Sequence, residues 1–251
     1  MQKNNKALFY RFLRSSVSFF YRKYQLEGLE NVKEPCVLVG NHSQMHGPMA
    51  CELYLPFERR IWCAGEMMNR EEVQEYSYRD FWPYKPKSVQ WFYKMLSYAI
   101  VPLSVCIFNN AHTIGVYHDT RIISTFRNTV KALENGESIV IFPEHDMDHN
   151  HILCDFQTKF VDVARFYYKK TGREISFVPM YIAPKLKKIY LGKPVKFNHT
   201  EPIEAERSRI CNYLMDEITN IACGLPEHKV VPYRNVSSRF YPCNLDKEEI
   251  K

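Results

Sequence analysis

The sequence predicts an α/β protein with a mostly parallel central sheet flanked by helices, preceded by an amphipathic helix at the N-terminal end. Three observations predict this class. Short apolar, β-favouring runs alternate with helical patterns along most of the chain. Two of the runs, 37–39 and 138–142, are almost entirely apolar, as strands covered on both faces are. Both then break into polar residues, where ligands bind in open α/β sheets.

The first element is the arm at residues 1–26. It carries Lys3, Lys6, Arg11, Arg14, Arg22 and Lys23 and no acid. These six bases equal the formal net charge of +6 of the 251-residue chain, so the remainder is balanced. Leu8, Phe12 and Phe19, with Phe9, Leu13 and Phe20, recur at helical spacing, and Arg11, Arg14, Ser18 and Arg22 fall opposite. A basic, aromatic-rich amphipathic helix fits a position in the headgroup plane of a membrane. Its charges recur too often for the ~20 apolar residues that spanning requires. Packing against the body and contact with nucleic acid are the competing readings, and no nucleic-acid partner is expected.

The body, 27–235, follows. Residues 37–39 read as a strand, 48–55 as a helix opening at Pro48, 60–64 as a short strand and 66–81 as a polar helix. Residues 91–108 carry one charge, Lys94, and an internal Pro102. That pattern predicts a monotopic insertion, or a buried helix followed by a strand, with proline as the break. Residues 114–117 read as a strand. Residues 122–135 read as a helix with Ile122, Ile123, Phe126, Val130 and Leu133 on one face and Gly136 as its C-cap. A buried strand over 138–142, a helix over 156–170, strands over 177–182 and 189–197 and a helix over 205–225 complete the domain. Residues 236–251 are expected to form a tail, with disorder at 246–251.

Composition sets the class. Apolar residues at 45% and charged residues at 25% are ordinary for a folded globular protein. The eight cysteines include no CxxC pair. Cys36, Cys63, Cys106 and Cys154 sit in apolar runs and read as buried, reduced thiols, so a disulfide framework is not expected. Arginines interrupt the N-terminal apolar residues, so no secretory signal is expected.

The candidate site lies at the two strand ends. The first run leads into Gly40, Asn41, His42, Ser43, Gln44, Met45, His46, Gly47 and Pro48. A histidine there can exchange a proton near neutral pH, or can merely hydrogen-bond its loop. The second run ends in Phe142, Pro143, Glu144, His145, Asp146, Met147 and Asp148. His42 and Glu144 can therefore share one crevice. The group Glu144, His145, Asp146, Asp148, His149, His151 and Asp155 also admits a zinc or manganese reading, and with it a metal-dependent hydrolase. Its spacing matches no metal motif such as HExxH, and no metal is expected.

In order, Asn41-His42, the block from Ile114 to Arg121, Phe142-Pro143-Glu144 and Val178-Pro179-Met180 resemble the four motifs of the glycerolipid acyltransferase superfamily, typified by lysophosphatidic acid acyltransferases. The resemblance covers residues 30–200 and includes a closing strand at Leu191 to Val195. It implies a glycerol-3-phosphate acyltransferase-like fold and transfer of a fatty acyl group from acyl-CoA or acyl carrier protein to a lysophospholipid or glycerolipid hydroxyl. In that family His42 is the base, Glu144 shapes the site and Arg121 binds a phosphate. Asn41, Ser43, His46, Phe142, Pro143 and His145 line the substrate, and a helix N-terminus after the third motif supplies donors. The location implied is peripheral, on the cytoplasmic face of a membrane. No cofactor beyond the acyl donor is implied.

Two departures stand out. The family's aspartate after the histidine is absent: Gly47 stands five residues on, and His46 takes its place if the Gly-Pro pair is aligned. The third motif has His145-Asp146-Met147 in place of Gly-Thr-Arg. The combined loss and gain suggest that Asp146 or Asp148 orients His42. A catalytically inactive lipid-binding protein of the same fold is the alternative.

Overall fold

The structure, a computed structural model, describes residues 2–21, 23–81 and 86–245, with the side chains of residues 2–6, 80 and 81 outside that description. Arg22, the side chains of Lys3 and Lys6, and the expected disorder of 246–251 lie outside the described residues. In chain order the elements are α1 (Gln2–Phe20), β1 (Gln25–Glu27), β2 (Val37–Gly40), α2 (His46–Tyr54), β3 (Arg59–Ala64), α3 (Val73–Phe81), α4 (Gln90–Asn110), β4 (Thr113–Val116) and α5 (Ile122–Glu134). They continue with β5 (Ser138–Ile141), β6 (Glu144–Asp148), β7 (Cys154–Phe156), α6 (Asp162–Thr171), β8 (Ser176–Ala183), β9 (Lys188–Leu191), β10 (Val195–Lys196) and α7 (Ile203–Cys223). Strand and helix alternate as the sequence predicts from β2 to β5, apart from the helix pair α3 and α4, whereas β5–β7 and β8–β10 follow one another with no α-helix between. The chain forms two compact units, Met1–Tyr21 with Ile61–Asn128, and Arg22–Arg60 with Thr129–Lys251.

The second unit is built on β2. It runs parallel to β5 on one side and to β8 on the other. Every residue of β2 and β5 is buried, which explains why both read as unbroken apolar runs. β8 pairs antiparallel with β9 and β10, and β1 adds to β9 in parallel. Helix α7 packs on β8 through Ile210, Leu214 and Ile218, all fully buried at helical spacing. Phe177 and Tyr181 lie on the α7 face of β8, and Met180, which meets Cys51 of α2, and Ile182 on the other, all fully buried.

In the first unit β3 and β4 pair in parallel, from Ile61 opposite Thr113 to Ala64 opposite Val116. Helix α3 packs along α4, and α1 also touches α4. The expected 66–81 helix is a 3-10 turn over Gly65–Met68 followed by α3.

The expected break at Pro102 does not occur: α4 runs as one 21-residue helix through it. Proline removes one backbone bond, but side-chain bonds tie both halves of the helix down. Gln74 donates to Ser97 at 3.0 Å, and Ser104 donates to the Met67 carbonyl at 3.1 Å. Nor is the helix buried: only 17% of its most apolar stretch is covered. Cys106, on this helix, and Cys63 are half-buried rather than enclosed, whereas Cys36 and Cys154 are buried. By length and composition, α4 suffices to cross a membrane.

The chain after Phe142 also differs from expectation. No helix begins there; β6 and β7 form a two-stranded antiparallel ribbon. The register of β6 shifts between Glu144 and Asp148; His145 is half-buried there, and Asp146 and Asp148 are exposed. The segment expected as a 236–251 tail is anchored in its first part: Lys229 bridges Cys243, and Asn244 is fully buried.

Candidate active site

Parallel register brings the two strand ends together. Val39 lies opposite Ile141, and the same offset of 102 residues pairs His42 with Glu144. The His42 backbone N–H donates to Glu144 Oε2 at 2.5 Å, and the Cys154 backbone N–H donates to Oε1 at 3.0 Å. Glu144 is thus a buried carboxyl held between β2 and β7 by two amides. Burial pushes it up to about 7, because desolvation of the charged form outweighs those two bonds.

His42 sits on a strained turn. Ser43 and Gln44 both adopt left-handed backbone conformations, φ 48° and φ 55°, uncommon for residues other than glycine. The Gly47 N–H closes the turn on the His42 carbonyl at 3.1 Å. The His42 ring, partly exposed, lies edge-to-face against Phe142 and Tyr233 at 5.3 and 5.9 Å between centroids. Burial lowers its proton affinity below the ordinary histidine value, and the nearby Gln44 backbone opposes this in smaller measure.

Gly47 cannot carry the missing carboxylate. A Cβ there would lie 2.4 Å from the His42 carbonyl oxygen and 3.0 Å from Phe142 Cε1. The turn has no room for any side chain at this position.

Asn41 and Ser43, expected at the substrate, face β8 instead. The Asn41 amide donates to the Ile182 carbonyl at 3.0 Å, and the Ile182 N–H donates back to Asn41 Oδ1 at 2.7 Å. Asn41 also donates to Ser43 Oγ at 2.7 Å, and Ser43 Oγ donates to the Ile182 carbonyl at 3.3 Å. Asn41 thus extends the β2–β8 ladder by one side-chain rung. His46 opens α2, and burial lowers its proton affinity, with Lys185 adding to the effect. The Pro143 carbonyl accepts the Gln157 N–H at 2.9 Å.

Asp146 and Asp148, expected to orient His42, both hold Arg234, Asp148 at 2.7 Å from its Nη1. His145 Nε2 lies 3.5 Å from Asp155 Oδ2 on the neighbouring strand. His151 meets the Asn244 carbonyl at 3.0 Å. The members of the His/Asp group thus face different partners, and among the described residues no three His, Cys, Asp or Glu side chains converge on a point.

Arg121 belongs to the first unit. Its guanidinium lies 2.8 Å from Glu72 and 2.8 Å from Asp119, over the Tyr117 ring at 4.1 Å. A phosphate binding there must displace two carboxylates.

Sequence reasoning missed Gln44, Tyr233, Arg234 and Tyr241. Gln44 Nε2 donates to the Arg234 carbonyl at 3.1 Å across 190 residues, and the Tyr241 hydroxyl donates to Gln44 Oε1 at 3.3 Å. No periodicity or motif marks these positions. The only local sign is the pair of aromatic residues beside prolines, Pro232-Tyr233 and Tyr241-Pro242.

No protein-family model matches the chain, and no curated protein does. Among solved structures the chain is similar to the crystal structure of the 1-acyl-sn-glycerophosphate (LPA) acyltransferase PlsC from Thermotoga maritima, at 14% sequence identity and a TM-score of 0.42. That similarity covers 82% of this chain and 80% of the other.

Proposed function

We propose that this protein is a membrane-associated acyltransferase of phospholipid metabolism. It moves a fatty acyl group from acyl-CoA or acyl carrier protein to a lysophospholipid or glycerolipid hydroxyl, with His42 as the base. The observation that carries this reading is the His42 ring itself. It stands past the carboxyl end of β2, between the Phe142 and Tyr233 rings, and burial favours its neutral form. A ring nitrogen takes the proton of the acceptor hydroxyl as its oxygen attacks the thioester carbon. Collapse breaks the carbon–sulfur bond, and the departing thiolate takes the proton back from the imidazolium. Glu144 fixes the turn that carries the ring by holding the His42 backbone amide.

The membrane part of the proposal rests on the first unit. Phe12, Phe19 and Trp91 are 71%, 83% and 68% exposed on α1 and α4. Neither helix contains an acidic residue. Apolar and aromatic surface fringed by Arg11, Arg14 and Lys94 suits an anionic lipid surface on the cytoplasmic side.

The test is incubation of the protein with radiolabelled acyl-CoA, or acyl carrier protein carrying the same chain, and a mixed lysolipid extract. His42→Ala serves as the control. Labelled diacyl product with wild type and a loss of at least about 100-fold in the control are expected. Transfer that survives the substitution removes His42 from the mechanism.

One observation favours a second reading, a lipid-binding protein of this fold without turnover. The carboxylates nearest the turn are engaged elsewhere, Glu144 on the His42 backbone amide and Asp146 and Asp148 on Arg234, and a ring without a carboxylate stabilises an imidazolium less. Saturable lysolipid binding with no product from any acceptor would decide for it.

A further inference from the structure

The half-buried His42 ring meets two aromatic rings, and the two are held differently. Phe142 follows β5 directly. Its Cε1 lies 3.0 Å from where a Cβ on Gly47 would stand, so the tight turn pins it. Tyr233 comes from a strap, residues 228–244, that folds back on itself: the Val230 N–H donates to the Pro242 carbonyl at 2.9 Å and the Asn244 N–H to the His228 carbonyl at 3.0 Å. The base of the strap is buried. Asn244 accepts the His228 N–H at 2.7 Å and donates to the Ala222 carbonyl at 2.8 Å, at the end of α7. His228 Nε2 meets the Tyr181 hydroxyl of β8 at 2.8 Å. The tip, next to Tyr233, is held by side chains. Gln44 Nε2 donates to the Arg234 carbonyl at 3.1 Å, and the Arg234 guanidinium holds Asp146 and Asp148 of β6.

We propose that Tyr233 is a specificity-determining residue, whose ring limits the bulk of the groups that reach the His42 imidazole. A hydroxyl that gives its proton to this base must come within about 3 Å of a ring nitrogen. The Tyr233 ring stands edge-to-face on the same imidazole, at 5.9 Å between centroids and 90° between planes, which is van der Waals contact. The carbon that bears the hydroxyl, with its substituents, therefore comes within reach of Tyr233 or Phe142. Phe142 cannot yield without moving the Gly47 turn, so the Tyr233 side sets the clearance. Asp146 and Asp148 brace that side by holding Arg234, the next residue along the strap. Arg234 and the two aspartates are positioning residues, since each acts through Tyr233. Their ion pairs are exposed and bind weakly, so the brace can be loosened without unfolding the core beneath it.

This role rests on His42 being the base, but its first test needs no turnover. Diethyl and dibenzyl pyrocarbonate both acylate neutral imidazoles and differ in bulk. Modification of His42 in the full chain is followed by mass spectrometry of its peptide, resolved from His46 by fragmentation, with the exposed His112 of the first unit as reference. In wild type the bulkier reagent should lose more rate at His42 than at His112. Tyr233→Ala should remove most of that discrimination at His42 and leave His112 unchanged. Tyr233→Phe, which keeps the ring, should retain it. Asp146→Asn with Asp148→Asn changes only exposed side chains and should remove part of it, so the pair decides the matter if Tyr233→Ala does not fold. No discrimination at His42 in wild type overturns the proposal. So does wild-type discrimination in a folded Tyr233→Ala, or in the double variant where Tyr233→Ala is unfolded. If wild type transfers acyl groups, Tyr233→Ala should shift kcat/KM about 10-fold toward an acceptor hydroxyl on a secondary carbon relative to one on a primary carbon. An unshifted ratio also overturns the proposal. Lost discrimination in a variant of a protein that transfers nothing leaves Tyr233 in its role and ends the acyltransferase reading.

Discussion

The Glu144 carboxylate accepts the backbone N–H of His42 at 2.5 Å. Glu144 thus secures the strand end that carries His42, through the main chain. Its second oxygen ties β7 to the same point through Cys154. A carboxyl in this position bears on stability first and on chemistry through the geometry it maintains.

Its titration gives a signed prediction. Folding holds the Glu144 proton up to about 7, against 4.5 for the free side chain. Between those values the folded protein binds more protons than the unfolded chain, so this group's contribution to stability falls as pH rises through the window. The full difference is on the order of 3 kcal/mol. Chemical denaturation of wild type and Glu144→Gln at about pH 4, 6 and 8 should show the gap between them shifting against wild type as pH rises. A gap that does not change with pH contradicts the assignment.

Placing an aspartate at position 47 should fail. Gly47→Asp puts a Cβ against the His42 carbonyl and the Phe142 ring. Overpacking of this kind costs about 1–3 kcal/mol and moves the turn. The expected result is a lower midpoint in thermal unfolding and weaker transfer activity. A variant as stable as wild type with higher activity would show that the turn accepts the carboxylate.

Asn41→Ala should act on stability. It leaves the Ile182 N–H without its partner and takes one donor from the Ile182 carbonyl, both inside the sheet. A buried unsatisfied group costs about 1–3 kcal/mol. Urea titration measures the loss, and a change below about 0.5 kcal/mol would deny Asn41 its place in the β2–β8 ladder.

Membrane association should depend on the basic residues of α1. Near an anionic surface each Lys or Arg contributes about 1 kcal/mol. Arg11→Gln with Arg14→Gln should therefore weaken binding to vesicles rich in phosphatidylglycerol by about 2 kcal/mol, roughly 30-fold, in co-sedimentation at low salt. Equal sedimentation of the variant and wild type would point to α4 or to no membrane role for the arm.

Much of the fold was legible in the sequence because it rests on local patterns. The runs at 37–39 and 138–142 are buried parallel strands, and the helical spacing of Ile210, Leu214 and Ile218 is the face of α7 on the sheet. The pairing of His42 with Glu144 was legible too, since two adjacent parallel strands that end together must bring their following residues together. Pro102 misled, because a proline's local cost says nothing of side-chain bonds that hold a helix from outside. Asp146 misled for a related reason: regular alternation would put it on the face of Glu144, but the register of β6 shifts between Glu144 and Asp148, and Asp146 meets Arg234 instead.

The sequence by itself determined which segments become strands and helices and where their ends present polar groups, because burial period and turn chemistry act over a few residues. Only the tertiary structure decided what surrounds His42. The Tyr233 ring flanks its imidazole, Gln44 in the same turn meets Arg234 and Tyr241 from the far end of the chain, and the turn at Gly47 is too tight for a side chain. Contacts between residues 190 positions apart leave no local periodicity behind them.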